Sequence, residues 1–304
     1  MRLAAAISAI VPAMRFRLFF LIFFLSSACA FARDYQHPRP IQHSHEAEKW
    51  AEKTLHKLSL EEKIGQLFMV RGEIEFMNIA SPQFLRLRDE VQRYHLGAVL
   101  VSVEAEGPFL FKNQPYEAAT FTNQLQESSK IPLIFAADFE RGLSMRLQGV
   151  TEFPAAMAFG AAADPAYAAG FGQISAEEAR AIGVQWNLYP IVDVNSNPEN
   201  PVINTRSFGE DPQQVGALGA AYIQAARDAG MLTTAKHFPG HGDTSTDSHL
   251  GAARVDGDMN HLQTFEFPPF KAAIAAGVDG VMIGHITVPA LDPAPGHKIG
   301  RAHV

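Results

Sequence analysis

A single cysteine, Cys29, in 304 residues excludes an intrachain disulfide and a thiolate metal cage. Positive charge is also in short supply: 25 lysines and arginines face 32 aspartates and glutamates, a formal net charge of −7. Binding a phosphate backbone takes a basic surface, so nucleic acid is not an expected partner. No Gly-rich phosphate loop follows the first apolar burst, which disfavours a dinucleotide fold. The apolar run at 18–25 falls well short of the roughly 20 residues that span a bilayer. What the chain does have is an apolar fraction of 47% against 19% charged residues. That composition builds a core and is not that of a disordered chain.

The first 32 residues carry Arg2, Arg15 and Arg17 and no acid. Two of these arginines precede the 18–25 run, and small residues follow, ending in Ala30-Phe31-Ala32. This three-part layout reads as a secretory signal over 1–32, with Met14 as an alternative start and export to the periplasm or the outside as the expected destination. Ser26-Ser27-Ala28-Cys29 leaves a lipidated cysteine, and with it membrane attachment, as an alternative. A polar, Pro-rich linker is expected over 33–45. At the other end, 299–304 reads Ile-Gly-Arg-Ala-His-Val, matching a translated sequencing adapter, and is expected to be a non-native tail.

Between these ends, apolar bursts at 65–70, 96–103, 132–137, 185–194, 232–237 and 279–286 alternate with helical spacing at 45–57, 82–94, 117–129, 165–182, 212–229 and 259–276. Asp164-Pro165 and Asp211-Pro212 have the N-cap and first-position chemistry of helix starts, and Gly183, Gly230 and Gly277 stand where left-handed C-caps belong. Near-continuous apolar strands, each followed by a helix, predict an α/β fold with a parallel sheet covered on both faces. Polar residues crowd at the ends of several strands: Asp138 and Glu140, Asp193 and Asn195, Lys236 and His237, then His285. Sites gathered from many strand ends favour a (β/α)8 TIM-type barrel over an open doubly wound sheet. Only about six β/α units fit within 46–298, so the barrel is expected to be incomplete.

The densest chemistry lies in Lys236-His-Phe-Pro-Gly-His-Gly-Asp-Thr-Ser-Thr-Asp-Ser-His249. A solvated loop is one explanation for so many ionisable groups. A metal site from His237, His241, Asp243 and His249 is a second, although the spacing matches no standard zinc pattern. A third is an Asp247–His249 dyad, in which the carboxylate fixes the imidazole tautomer and the histidine donates and recovers a proton near neutral pH.

This loop resembles that of family 3 glycoside hydrolases, in the β-N-acetylhexosaminidase branch. Further matching stretches are Leu58-Ser-Leu-Glu-Glu-Lys-Ile-Gly-Gln-Leu-Phe68, Asp138-Phe-Glu-Arg-Gly142, Phe153-Pro154, Val202-Ile-Asn-Thr-Arg-Ser-Phe-Gly-Glu-Asp-Pro212 and Met282-Ile-Gly-His-Ile-Thr-Val-Pro-Ala-Leu-Asp-Pro293. The resemblance implies retaining hydrolysis of terminal β-N-acetylglucosaminides from peptidoglycan or chitin, without metal or cofactor. It gives His249 the acid/base role with Asp247 as its orienting partner, and assigns Asp138, Arg206, Lys236, His237, Met282 and His285 to the sugar pocket. The nucleophile it implies is an aspartate on a seventh strand, which this chain does not reach, so the 304-residue chain is expected to be inactive alone. A non-catalytic sugar-binding module, a β-glucosidase-type enzyme and a metal-dependent hydrolase are the alternatives. Purely structural pairings also remain open: Asp138 with Arg141, Lys236 with Asp193, Arg206 with Glu210 or Asp211, and His285 as a core histidine.

Overall fold

The computed structural model describes residues 39–74, 80–103, 105–106, 109–110, 112–246 and 253–293. The signal at 1–32, Cys29, the dyad residues Asp247 and His249, and the tail at 299–304 lie outside the described residues.

Six parallel strands form one sheet: β1 (Met69–Ile74), β2 (Ala98–Val103), β3 (Ile134–Ala137), β4 (Trp186–Asn187), β5 (Leu232–Phe238) and β6 (Gly280–Ile283). Their order in the sheet is their order in the chain. Every neighbouring pair is parallel, from Met69 opposite Ala98 to Thr234 opposite Gly280. A doubly wound sheet reverses its strand order at a switch point, whereas a barrel wall never does. The monotonic order therefore decides between the two architectures in favour of the barrel wall.

Helices α1 (His45–Lys57), α2 (Leu60–Gly65), α3 (Pro82–Tyr94), α4 (Pro115–Glu127), α5 (Ala156–Ala162), α6 (Pro165–Ala181), α7 (Pro212–Asp228) and α8 (Phe267–Ala275) accompany the strands. Asp164 and Asp211 cap α6 and α7 by accepting hydrogen bonds from the Ala166 and Gln214 amides. Gly183, Gly230 and Gly277 have φ of 82°, 78° and 85°, the left-handed turn that ends each helix without a Cβ penalty.

Three local expectations fail, each for a physical reason. The apolar run at 65–70 is not the first strand. Gly65 closes α2, which a Ser59–Glu62 capping box starts, and Leu67 and Phe68 lie exposed before β1 begins. The 185–194 burst yields a two-residue strand and, beyond Pro190, which has no N–H to give, one isolated parallel bridge between Ile191 and Lys236. Side chains take over there: Gln185 accepts the Phe135 amide at 2.8 Å and Asn187 accepts the Phe139 amide at 3.0 Å. The expected helix at 259–276 breaks into a turn at Met259–His261, a π-helical stretch at Leu262–Glu266, and α8.

The core lies between the sheet and helices α3 to α8. Its centre is aromatic: Phe171 on α6 stacks with Phe159 at 5.1 Å and meets Tyr222 of α7 edge-on at 5.0 Å, with Tyr189 completing the group. A smaller cluster, Ala253, Val255, Leu262, Ile286 and Val288, packs beside the end of β6.

Candidate active site

Five of the six site residues placed by the structure stand at or just beyond the C-terminal ends of strands. Asp138 directly follows β3, Lys236 and His237 end β5, Met282 sits on β6, and His285 lies just beyond it. Arg206 comes from the long connection between β4 and α7. The six line one cavity of about 730 Å³, together with Glu140, Arg146 and His241. His285 is exposed at the cavity wall, so it is not a core histidine.

Four charges form a connected chain in the cavity wall, Asp138–Lys236–Glu140–Arg206. Lys236, 3% exposed, donates to Asp138 at 2.7 Å and reaches Glu140 at 2.9 Å. Arg206 clamps the same Glu140 through two 2.8 Å bonds, from Nε to Oε2 and from Nη2 to Oε1, and donates through Nη1 to the Val202 carbonyl. The pairings differ from those considered in the sequence: Asp138 holds Lys236 and not Arg141, and Arg206 holds Glu140 and not Glu210 or Asp211. Bidentate recognition of a carboxylate suits the planar guanidinium fork. Burial alone would raise the Glu140 carboxyl, but the Arg206 hydrogen bonds and the Lys236 charge outweigh it and hold the group far below the carboxylate range. Two anions and two cations leave the network neutral. Asp138 keeps part of its carboxylate open to the cavity, where it can accept hydroxyl donors.

Asp193, completely buried, organises the start of the histidine loop. It accepts the backbone amides of His237 at 3.1 Å and His241 at 2.8 Å, and its Oδ2 lies 2.8 Å from His237 Nδ1. Lys236 is not its partner. Burial pushes this carboxyl up, while His237 and the amide hydrogen bonds pull it below its usual value. With Nδ1–H donated to a carboxylate, His237 retains Nε2 as an acceptor for a ligand hydroxyl.

The loop that composition marked as polar is anchored inside the fold over its first half. His241 is buried, with Thr244 Oγ1 2.6 Å from its Nδ1, and burial lowers its basicity. Asn200 donates to the carbonyls of His241 and Gly242 at 2.8 and 3.0 Å. Among the described residues no group of three or more His, Cys, Asp or Glu is arranged to hold a metal. In the metal set considered above, the Nδ1 atoms of His237 and His241 are already engaged by Asp193 and Thr244.

Sequence reasoning missed three contributors. Glu140 had been noted only as a polar strand end, yet it is the shared anion of both cations. Asp193 looked like an ion-pair partner for Lys236, not a histidine holder. Arg146 lines the cavity with a buried Nε that has no hydrogen-bond partner, and the signal for it was another arginine soon after Asp138.

Comparison with known proteins agrees with this geometry. The model of the glycosyl hydrolase family 3 N terminal domain matches residues 59–300. A β-N-acetylglucosaminidase/β-glucosidase of Cellulomonas fimi is 33% identical over 250 residues, covering 81% of this chain and 41% of the relative. β-Hexosaminidase A of Pseudoalteromonas piscicida is 38% identical over 217 residues, covering 68% of this chain and 35% of the relative. The solved structure of a family 3 β-N-acetylglucosaminidase from Paenibacillus sp. str. FPU-7 superposes with a TM-score of 0.70 at 36% identity, covering 78% of this chain and 44% of that one. The chain thus spans less than half the length of these relatives. With the family model covering most of its residues, the chain belongs to the glycosyl hydrolase family 3 N-terminal domain family.

Proposed function

We propose that the protein binds a terminal N-acetylglucosamine residue of a peptidoglycan- or chitin-derived glycan and serves its hydrolysis with retention at the anomeric carbon. The observation that carries this reading is one cavity at the strand ends, where Asp138, Arg206, Lys236, His237, Met282 and His285 meet around a hydrogen-bonding wall whose buried anions are each paired with a cation. Sugars are neutral and rich in hydroxyls, and a wall of paired charges offers them donors and acceptors without demanding a counter-ion.

In this proposal Asp138 accepts sugar hydroxyl protons, while Lys236 and Arg206 fix its position and that of Glu140. His237, held by Asp193, presents Nε2 to a hydroxyl. His249, steered by Asp247, protonates the glycosidic oxygen and later takes a proton from the attacking water, as the two halves of a retaining reaction require. The attacking carboxylate is not assigned to any residue of this chain. Export follows from the leader at 1–32, with Cys29 lipidation as the route to membrane attachment.

Two measurements test the proposal. Calorimetric titration of this chain with N-acetylglucosamine should show binding that Asp138→Ala abolishes. The full-length gene product should cleave an aryl β-N-acetylglucosaminide faster than the aryl β-glucoside, and His249→Ala should remove most of that rate. The Cellulomonas fimi relative carries both activities in its name, so a preference for the glucoside would move the protein to the β-glucosidase class. Recovery of a mature chain beginning at Arg33 outside the cytoplasm would support export.

A further inference from the structure

The loop that follows β5 rests on Glu266. This residue closes the π-helical stretch Leu262–Glu266, and such stretches mark positions where a helix has been rewound to aim one side chain. Its side chain is fully buried. Oε1 lies 3.3 Å from His261 Nε2, and Oε2 has no hydrogen-bond partner. The carboxyl occupies the space left by the missing side chain of Gly240. A Cβ there would collide with Glu266 Oε2 and Cδ, and Gly240 holds φ at 132°, where other residues are strained. Gly240 is the hinge of the Lys236-His-Phe-Pro-Gly-His241 segment, three residues after His237 and one before His241.

We propose that Glu266 is a positioning residue for the sugar cavity: its buried carboxyl, seated against Gly240, sets the height of the loop that brings His237 and His241 to the cavity wall. The charged groups around it make the seat sensitive to ionisation. Asp193, from the segment after β4, and Asp243, from the loop itself, face it as carboxylates, and His261 faces it from the turn before the π-helical stretch. Asp193 is in turn tied to His237 and His241. Burial and those two carboxylates push the Glu266 carboxyl up to about 8, so it is neutral when the loop is seated at neutral pH. Once ionised, it is a third negative charge in a dry pocket, and the loop must lift to admit water. The effect on sugar binding rests on the function proposed above, whereas the seating of the loop does not.

The test is amide hydrogen exchange at Gly240, His241 and Thr244, compared between the wild-type chain and Glu266→Gln across pH 5 to 9.5. Gln keeps the shape but cannot ionise, and the ratio of the two proteins cancels the intrinsic pH dependence of exchange. The ratio of wild-type to Gln protection should fall as pH rises toward 8, approaching a tenfold loss per pH unit, because opening lets the carboxyl ionise at its ordinary value. Above about pH 8, where the carboxyl is ionised in the seated loop as well, the ratio should level off. Glu266→Ala should lose protection at these amides at every pH. A ratio that stays flat across the range, or full protection in Glu266→Ala, overturns the proposal. Should Glu266→Ala not fold, the wild-type to Gln ratio still decides. N-acetylglucosamine titrations run in parallel should weaken as pH rises toward about 8 in the wild type and not in Glu266→Gln. If neither protein binds the sugar at pH 7, the proposed function fails while the exchange result stands by itself.

Discussion

Glu140→Gln removes one charge from a wall in which two anions and two cations cancel. Lys236 then keeps Asp138 alone, Arg206 loses its carboxylate partner, and the network carries an uncompensated positive charge. Stranding a buried charge by deleting its partner costs roughly 3–5 kcal/mol. Arg206 and Asp138 are each close to a third exposed, so water relieves part of this and the lower end, about 3 kcal/mol, applies. Unfolding in urea should show it as a midpoint lowered by about 1 M, taking a slope of roughly 3 kcal/mol per molar for a chain of this size. Urea is preferable to guanidinium here because it is uncharged and does not screen the pair. Asp89→Asn, which breaks the exposed pair with Arg88 at 3.0 Å, is the control and should shift the midpoint by less than about 0.3 M. Adding Arg206→Met to Glu140→Gln restores neutrality and should recover part of the loss. If Glu140→Gln behaves like Asp89→Asn, the wall is solvated and the reasoning about a desolvated network is wrong.

Three further outcomes follow from the same geometry. Glu140 and Asp193 both titrate below their ordinary values in the folded chain, so they add stability above the usual carboxylate range and lose it as pH falls through and below that range; melting temperatures from pH 7 down to 3 should decline, and less steeply in Asp193→Asn. Asp193→Asn should weaken N-acetylglucosamine binding by about tenfold or more through His237, while far-ultraviolet circular dichroism stays unchanged. Tyr189→Phe removes a buried hydroxyl that has no hydrogen-bond partner and should be neutral or stabilising by up to about 1 kcal/mol; a loss beyond about 1 kcal/mol would point to a partner at that oxygen.

The parts of the fold that sequence revealed are those fixed by local chemistry. Asp-Pro starts and Gly stops located α6 and α7 to within a residue, because caps and left-handed turns depend on the residue at the position itself. Apolarity without burial misled at Leu67 and Phe68, which are 86% and 58% exposed although they read as a strand. The six pocket residues could be assembled from resemblance and strand-end placement, since all but Arg206 sit on or next to an apolar burst. What stayed hidden was pairing across the barrel. Glu140 and Arg206 are 66 residues apart in sequence and Asp193 and His237 are 44 apart, and no local pattern tells which anion holds which cation. Glu266, set in the apolar run Phe265-Glu-Phe-Pro-Pro-Phe270, gave no sign of its neighbour Gly240 until the π-helical rewinding was known.

The monotonic strand order also bears on how the chain is made. Within the six described strands each new one docks on the strand synthesised just before it, so each of the five pairings forms as its second strand emerges. Assembly can follow translation from the N-terminus, with loop-closure entropy met in small instalments. A circular permutant opened between β3 and β4 would keep every hydrogen bond of the finished sheet yet lose that schedule, and should refold with lower yield.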